Sequence, residues 1–192
     1  MSGPTTTAPS RARILDAALA LMSEHGVAGT SMRMLAGECG LNVATLYHHF
    51  PSKADLLVAV LDDRAYEQQL ATAEPPKEVT EAGDPRTRLH RLVRWLEWAV
   101  QQEDAVIRLL VGESLRGEPT AREAAHRLVE GIDDAVTRWL STVVPELGDR
   151  TRPVAGLVRA LVFALIVERV ALGADDAASR SRVDDLVAVA LP

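Results

Sequence analysis

The stretch that most limits what this chain can fold into is residues 30–53, TSMRMLAGECGLNVATLYHHFPSK. It reads as a short helix, a glycine turn, a second short helix and the start of a third, which is the pattern of a helix-turn-helix. Thr30 is placed to cap the first helix, where Met32, Leu35, Ala36 and Cys39 recur at helical spacing as one apolar stripe. Gly40 breaks that helix. Asn42 is a good cap for the second, whose Val43, Leu46 and Phe50 share a core-facing stripe while Ala44, Thr45, His48 and His49 point the other way. Tyr47 flanks the outward face. Pro51 ends the helix, and Ser52 with Asp55 forms a capping box that restarts the chain.

That outward face is small where it begins, so a nucleic-acid backbone can come close, and it carries a hydroxyl and two imidazoles able to meet base edges or phosphates. Charge argues for a modest grip. The 192-residue chain has a formal net charge of −6, but up to Phe50 three basic residues (Arg11, Arg13, Arg33) meet three acidic ones (Asp16, Glu24, Glu38). The first module is therefore neutral and the acidity lies beyond it. Dimerisation and helix N-termini are expected to supply much of the phosphate contact.

The run Gly29-Thr30-Ser31-Met32-Arg33, the Gly40 turn, and Thr45-Leu46-Tyr47-His48-His49-Phe50 followed by Ser52-Lys53 and Leu56-Leu57 resemble the DNA-binding domain of the TetR (tetracycline-repressor-like) family. The resemblance covers roughly residues 11–61, and its LYHHFPSK core is far more specific than a generic helix-turn-helix. Asn42 stands where Ser is commoner in the family and Cys39 where Ala is; both suit their local roles. The resemblance implies an all-helical homodimeric repressor released by a small ligand. It places DNA contacts at Thr30, Ser31, Arg33, Asn42, Val43, Ala44, Thr45, Tyr47, His48, His49 and Lys53.

The remaining chain also reads as helical. Residues 1–9 are Thr, Pro and small residues, expected to be a disordered arm. Ser10 starts a support helix to about His25, with Ile14, Ala17, Ala18 and Leu21 on one face and Gly26 ending it. A helix from Ser52 is expected to continue to about Ala73 and to join head to core. Residues 74–85 concentrate Pro, Gly and charge and read as a mobile loop, closed by Asp84-Pro85 as an N-cap with proline at the first helical position.

The helix over 85–103 has Leu89, Leu92, Val93, Leu96 and Val100 on one stripe, with Trp98 opposite among Arg91 and Arg94 and Trp95 between the faces. A tryptophan on a polar face marks either a surface residue or a helix packed on both sides. A further helix follows over about 104–117. Thr120 to Glu123 resembles a capping box opening a helix to about Val144, with Leu128, Ile132, Ala135, Val136, Trp139, Leu140 and Val143 in its stripe. No strand alternation appears.

Residues 153–173 are apolar almost all the way round, and Ser181 is expected to cap a last helix over 181–191. Joined to the family resemblance, these two helices point to a four-helix bundle with their copies in a second subunit. The expected architecture is all-α: a disordered arm at 1–9, a three-helix helix-turn-helix domain at 10–51, and a larger helical ligand-binding and dimerisation domain at 52–192.

Chemistry of other kinds is absent from the sequence. There is no H-E-x-x-H, no Gly-rich phosphate loop and no G-x-S-x-G. Adjacent His48 and His49 diverge on a helix, and a single cysteine rules out a disulfide framework and a multi-cysteine metal site. Cys39 on its stripe reads as a small buried hydrophobe. No catalytic residue, metal site or cofactor is expected, and the protein reads as no enzyme. The longest uncharged apolar run is far short of the ~20 residues of a membrane span, and the N-terminus lacks the apolar core of a signal peptide, so a cytoplasmic place is expected.

The partners expected are double-stranded DNA with a palindromic operator and a hydrophobic or aromatic small molecule. Its lining is sought among Trp95, Trp98, Leu110, Glu113, His126, Trp139 and Phe163. The alternative is a helical protein that binds or sequesters a small molecule without a DNA-binding role, and the neutral head is its support.

Overall fold

The computed structural model describes residues 11–64, 66–81, 83–172 and 176–191, and its regular elements are helices. In chain order they are α1 (Arg11–Gly29), α2 (Met32–Cys39), α3 (Val43–His49), α4 (Lys53–Asp63), α5 (Tyr66–Thr72), α6 (Lys77–Thr80), α7 (Pro85–Gln101), α8 (Asp104–Arg116), α9 (Pro119–Val143), a 3-10 turn (Pro145–Arg150), α10 (Thr151–Leu172) and α11 (Asp176–Ala190). The arm expected at 1–9 and the Ser10 cap lie outside the described residues. The chain divides into two compact units, one taking residues up to 64 together with 104–126, the other taking 66–103 and 127–191 where described.

In the first unit α1 packs against α2, α4 and α8, and α2 against α3. Its core joins Ile14, Leu15, Ala18 and Met22 of α1 to Leu35 and Ala36, Leu46 and Phe50, Leu56, Leu57 and Val60, and Val106, Leu109 and Leu110 of α8. The domain boundary expected at 51/52 therefore does not coincide with the packing. One long helix with two of eight and seven residues has too little apolar surface to close a core alone, so α4 and the distant α8 complete it.

The single helix expected over 52–73 is also divided, because α4 ends at Asp63. Two carboxylates, Asp62 and Asp63, stand in its last turn, where the helix dipole disfavours negative charge. Asp63 reaches Arg11 at 3.5 Å and Arg64 reaches Asp16 at 2.7 Å, so this end of α4 is tied to α1.

The second unit is built on α7, against which α6, α10 and α11 pack. Leu89, Leu92, Val93 and Leu96 form the expected stripe and are buried. The expected mobile loop contains the single turn α6, with Val79 buried and the Glu78 carbonyl accepting from Arg91 Nη1 at 3.0 Å. Two other helix starts differ from expectation. Thr120 lies inside α9, whose first turn is held by Glu118 Oε2 accepting from the Ala121 N–H at 2.7 Å, and α11 begins at Asp176, ahead of Ser181. Among the described residues no helix is long and apolar enough to cross a membrane.

Asp84 caps α7 as expected, accepting from the Arg86 and Thr87 N–H groups and from the Thr87 hydroxyl at 2.6 Å. The hydroxyl bond first, and then the backbone bonds, hold its carboxyl below the ordinary carboxylate range. Glu146 is lowered too, chiefly by the bond from Arg88 at 2.5 Å. A carboxyl whose folded pKa is depressed gives stability that is whole above its unfolded pKa and is lost as pH falls through the folded value. Asp84→Ala is thus expected to lower Tm at neutral pH, with the gap to the parent narrowing on acidification through and below the carboxylate range. Thermal scans across that range check it, and a gap independent of pH would refute the ionised-cap account.

Candidate nucleic-acid interface

The helix-turn-helix is set up by a break in the helix before it. Gly26 sits at φ 73, ψ 165, a conformation reserved in practice for glycine, and a Cβ there would stand 3.1 Å from Glu113 Oε1. The freed groups around the break find partners. The Thr30 N–H and hydroxyl both donate to the Gly26 carbonyl, at 3.1 and 2.9 Å. The Val27 N–H donates to Glu113 Oε1 at 3.0 Å.

Two sequence expectations change here. Thr30 is only 1% exposed and bonds backward into α1, so it neither caps α2 nor stands where DNA can reach it. Ser31 is the cap, its hydroxyl accepting from the Met34 N–H at 3.1 Å. Glu113 is among the residues expected at a ligand pocket. It is instead a buried carboxylate holding Val27 and Arg116 inside the first unit.

From Ser31 onward the motif follows its residues. Met32, Leu35 and Ala36 are buried and Cys39 is half-buried. Burial, then the charge of Glu38, push the Cys39 thiol up, which keeps it protonated. Gly40 takes the left-handed conformation, φ 65, and its N–H closes on the Ala36 and Gly37 carbonyls. Asn42 Oδ1 accepts from the Ala44 N–H at 2.9 Å and opens α3. Leu46 and Phe50 are buried and Val43 is half-buried. Ser52 and Asp55 form the capping box of α4.

The opposite side of α3 is exposed. Ala44, Thr45, Tyr47, His48 and His49 are all exposed, as are Ser31, Arg33 and Asn42. The imidazoles of His48 and His49, expected to diverge, instead meet edge to face at 5.9 Å in the last turn. Such a face offers hydroxyl, phenol and imidazole groups beside an alanine that admits close approach, a set suited to base edges and phosphates in a major groove. Lys53, also among the expected contacts, is half-buried and already bonded, its Nζ donating to the Ala28 and Thr30 carbonyls. Arg11 lies 5.7 Å over the Phe50 ring and pairs with Asp63.

The residues expected to line a ligand pocket do not gather as one set. Leu110, Glu113 and His126 belong to the first unit. In the second, Trp98 and Phe163 stand 57% and 51% exposed. Trp95 and Trp139 do come together, edge to face at 5.2 Å, with Trp139 Nε1 donating to the Ala73 carbonyl at 2.8 Å and Arg138 over its ring. A cavity of about 300 Å³ opens elsewhere in that unit, lined by Asp133, Asp134, Thr137, Arg152, Ala155 and Gly156, none of which the sequence had suggested.

Sequence reasoning also missed Glu97. It is 4% exposed on α7 and accepts from Ser179 Oγ at 2.6 Å and from Arg94 Nη1. Nothing local marks it, since its main partner is more than eighty residues away.

Residues 14–60 match the family model described as bacterial regulatory proteins, tetR family. A similar curated protein is the HTH-type transcriptional repressor KstR of Mycolicibacterium smegmatis, 30% identical over 135 residues, which are 70% of this chain and 65% of that protein. The chain thus spans about two thirds of the length of that relative. Among solved structures, a transcriptional regulator from Rhodococcus sp. RHA1 superposes with TM-score 0.70 at 21% identity, covering 95% of this chain and 96% of that one. The multidrug binding protein EbrR complexed with proflavin superposes with TM-score 0.56 at 23% identity, covering 92% and 98%. These likenesses are of fold. The proteins named are regulators and a binding protein, in keeping with the expectation that this chain is no enzyme.

Proposed function

We propose, for a chain that belongs to the tetR family of bacterial regulatory proteins, a ligand-responsive repressor that binds a palindromic operator as a homodimer. The observation that carries this is the exposed outer face of α3, set on a helix-turn-helix whose α2 and α3 are both capped. The contacts are Thr45, Tyr47, His48 and His49 to base edges or phosphates, with Ala44 admitting the backbone and Ser31, Arg33 and Asn42 at the margins. Two such heads related by a two-fold axis read half-sites about 34 to 36 Å apart.

The dimer surface is α10 with α11. Leu157, Phe163 and Val167 stand 40–51% exposed along α10, and Val189 of α11 is 73% exposed. The effector is a hydrophobic or aromatic small molecule, supported by the Trp95–Trp139 pair and by the aromatic dye that the fold neighbour EbrR holds. It lowers DNA affinity only as far as it binds the two forms of the repressor unequally.

A mobility shift with duplex DNA flanking the gene, repeated across salt concentrations, tests the proposal. Thr45→Ala or Tyr47→Ala is expected to weaken retention by ~1 to 3 kcal/mol each, as for a lost base contact. Retention unchanged in both variants would remove α3 from the interface. A folded dimer with no retention on any duplex would instead favour the sequestering alternative.

A further inference from the structure

Lys53 is the first residue of α4, where the positive end of the helix dipole disfavours a cation. It is also half-buried. Its ammonium is directed away from α4 into the corner between α1 and α2, donating to the Ala28 carbonyl at 3.2 Å and the Thr30 carbonyl at 3.0 Å. The last turn of α1 has no basic residue of its own. The orphan carbonyls at a helix C-terminus are where a cation is favoured, so the lysine that suits α4 poorly suits the end of α1 well.

The same short corner is held from two other directions. Thr30 bonds back to the Gly26 carbonyl through its N–H and hydroxyl, and Glu113 takes the Val27 N–H. Residues 26–30 decide where Ser31 stands and hence where α2 begins; α2 in turn packs on α3. With two of its three ammonium hydrogens engaged in this corner, Lys53 has a task that does not involve DNA.

We infer that Lys53 acts in operator binding as a positioning residue, clamping the α1–α2 corner so that α3 presents its face, and not as a phosphate ligand. This rests on the DNA-binding reading above. It divides a residue expected among the DNA contacts from those that touch the duplex, and the two roles have different signatures in salt. A lysine that neutralises a phosphate releases counterions, and its loss makes the slope of log K against log salt shallower by about 0.9 per phosphate. Loss of a clamp weakens binding and leaves the slope alone.

The experiment compares the unaltered chain with Lys53→Met on a duplex enriched from a randomised library by the unaltered chain, across a salt series. The expected result is about tenfold weaker binding with the same slope, the loss of hydrogen bonds from a charged donor being worth roughly that factor. Unchanged affinity, or a slope shallower by about 0.9 for each head, would overturn the inference. Amide hydrogen exchange of the same two proteins without DNA gives a second readout, with faster exchange expected at residues 30–34 of the variant and equal exchange overturning the clamp. If the unaltered chain holds no duplex, the DNA-binding reading fails and this exchange measurement alone decides the clamp. Should Lys53→Met not fold, the Lys53 ammonium resonance of the ¹⁵N-labelled unaltered chain decides: protection from exchange before DNA is added is expected, and protection arising only with DNA overturns it.

Discussion

Phe163→Glu is expected to turn the chain into a folded monomer that no longer holds duplex DNA. Phe163 is 51% exposed in the single chain and lies on α10 with Leu157, equally exposed, and Val167 at 40%. Residues 157, 160, 163 and 167 follow helical spacing, Ala160 being exposed as well, so the four make one apolar line along the helix. Because the ring is half in solvent, a polar replacement costs the protomer little, and helicity by circular dichroism should be kept.

In a two-fold dimer the change enters twice, and each carboxylate is carried into the apolar centre of an isologous contact. Burying an unpaired carboxylate costs several kcal/mol even after relaxation, so the dimer constant should weaken by at least about a hundredfold. DNA retention falls with it, because a neutral single head has few phosphate contacts and loses the second half-site. Sedimentation velocity over a concentration series measures the first effect and a mobility shift the second. A Phe163→Glu protein that stays dimeric would move the interface away from α10.

What could be read from the chain, and what could not, divides by distance along the sequence. Gly40, Asn42, Ser52 and Asp84 act on groups within four residues, and each occupies the turn or cap its residue type favours. The outward face of α3 was legible for the same reason, as helical spacing alone separates Leu46 and Phe50 from Thr45, His48 and His49. Where two neighbours compete for one local role the pattern is ambiguous. Thr30 and Ser31 are both hydroxyl residues before α2, and burial against the Gly26 carbonyl decides which of them caps.

Long-range partners leave no mark at all. Glu113 and Glu97 look like any solvated carboxylate on a helix, yet they hold Val27 and Ser179, each more than eighty residues away. The extent of the first unit was hidden likewise. That α8 should complete the core of the head follows from where apolar area is available in three dimensions, and no periodicity in α8 names its partner.

Glu97→Ala should be the most damaging single change to the second unit that does not touch an apolar side chain. The carboxylate is 4% exposed on α7; one oxygen takes the Ser179 hydroxyl at 2.6 Å and the Gln101 amide at 3.4 Å, the other takes Arg94 Nη1 at 2.5 Å. Arg94 Nη1 also reaches Ser179 Oγ at 2.9 Å, so charge, hydroxyl and guanidinium contact one another between α7 and α11. Removing the carboxylate leaves a buried hydroxyl short of its acceptor and takes one charged partner from a guanidinium that is itself partly in solvent. That costs ~2 to 4 kcal/mol, the lower end reflecting the solvent around Arg94.

Glu97→Gln keeps the shape and an acceptor oxygen, and should recover about half of the loss. Ser179→Ala removes one bond and should cost about 1 kcal/mol, and the double variant with Glu97→Ala should fall short of the sum because the two share that bond. Urea unfolding at one fixed protein concentration measures all four, since the proposed dimer would make the midpoint depend on concentration. A Glu97→Ala midpoint equal to that of the parent would mean that the buried charge contributes nothing to holding α11 on α7, and that buried Val183 and Val187 with the Arg86–Leu191 and His90–Asp184 contacts suffice.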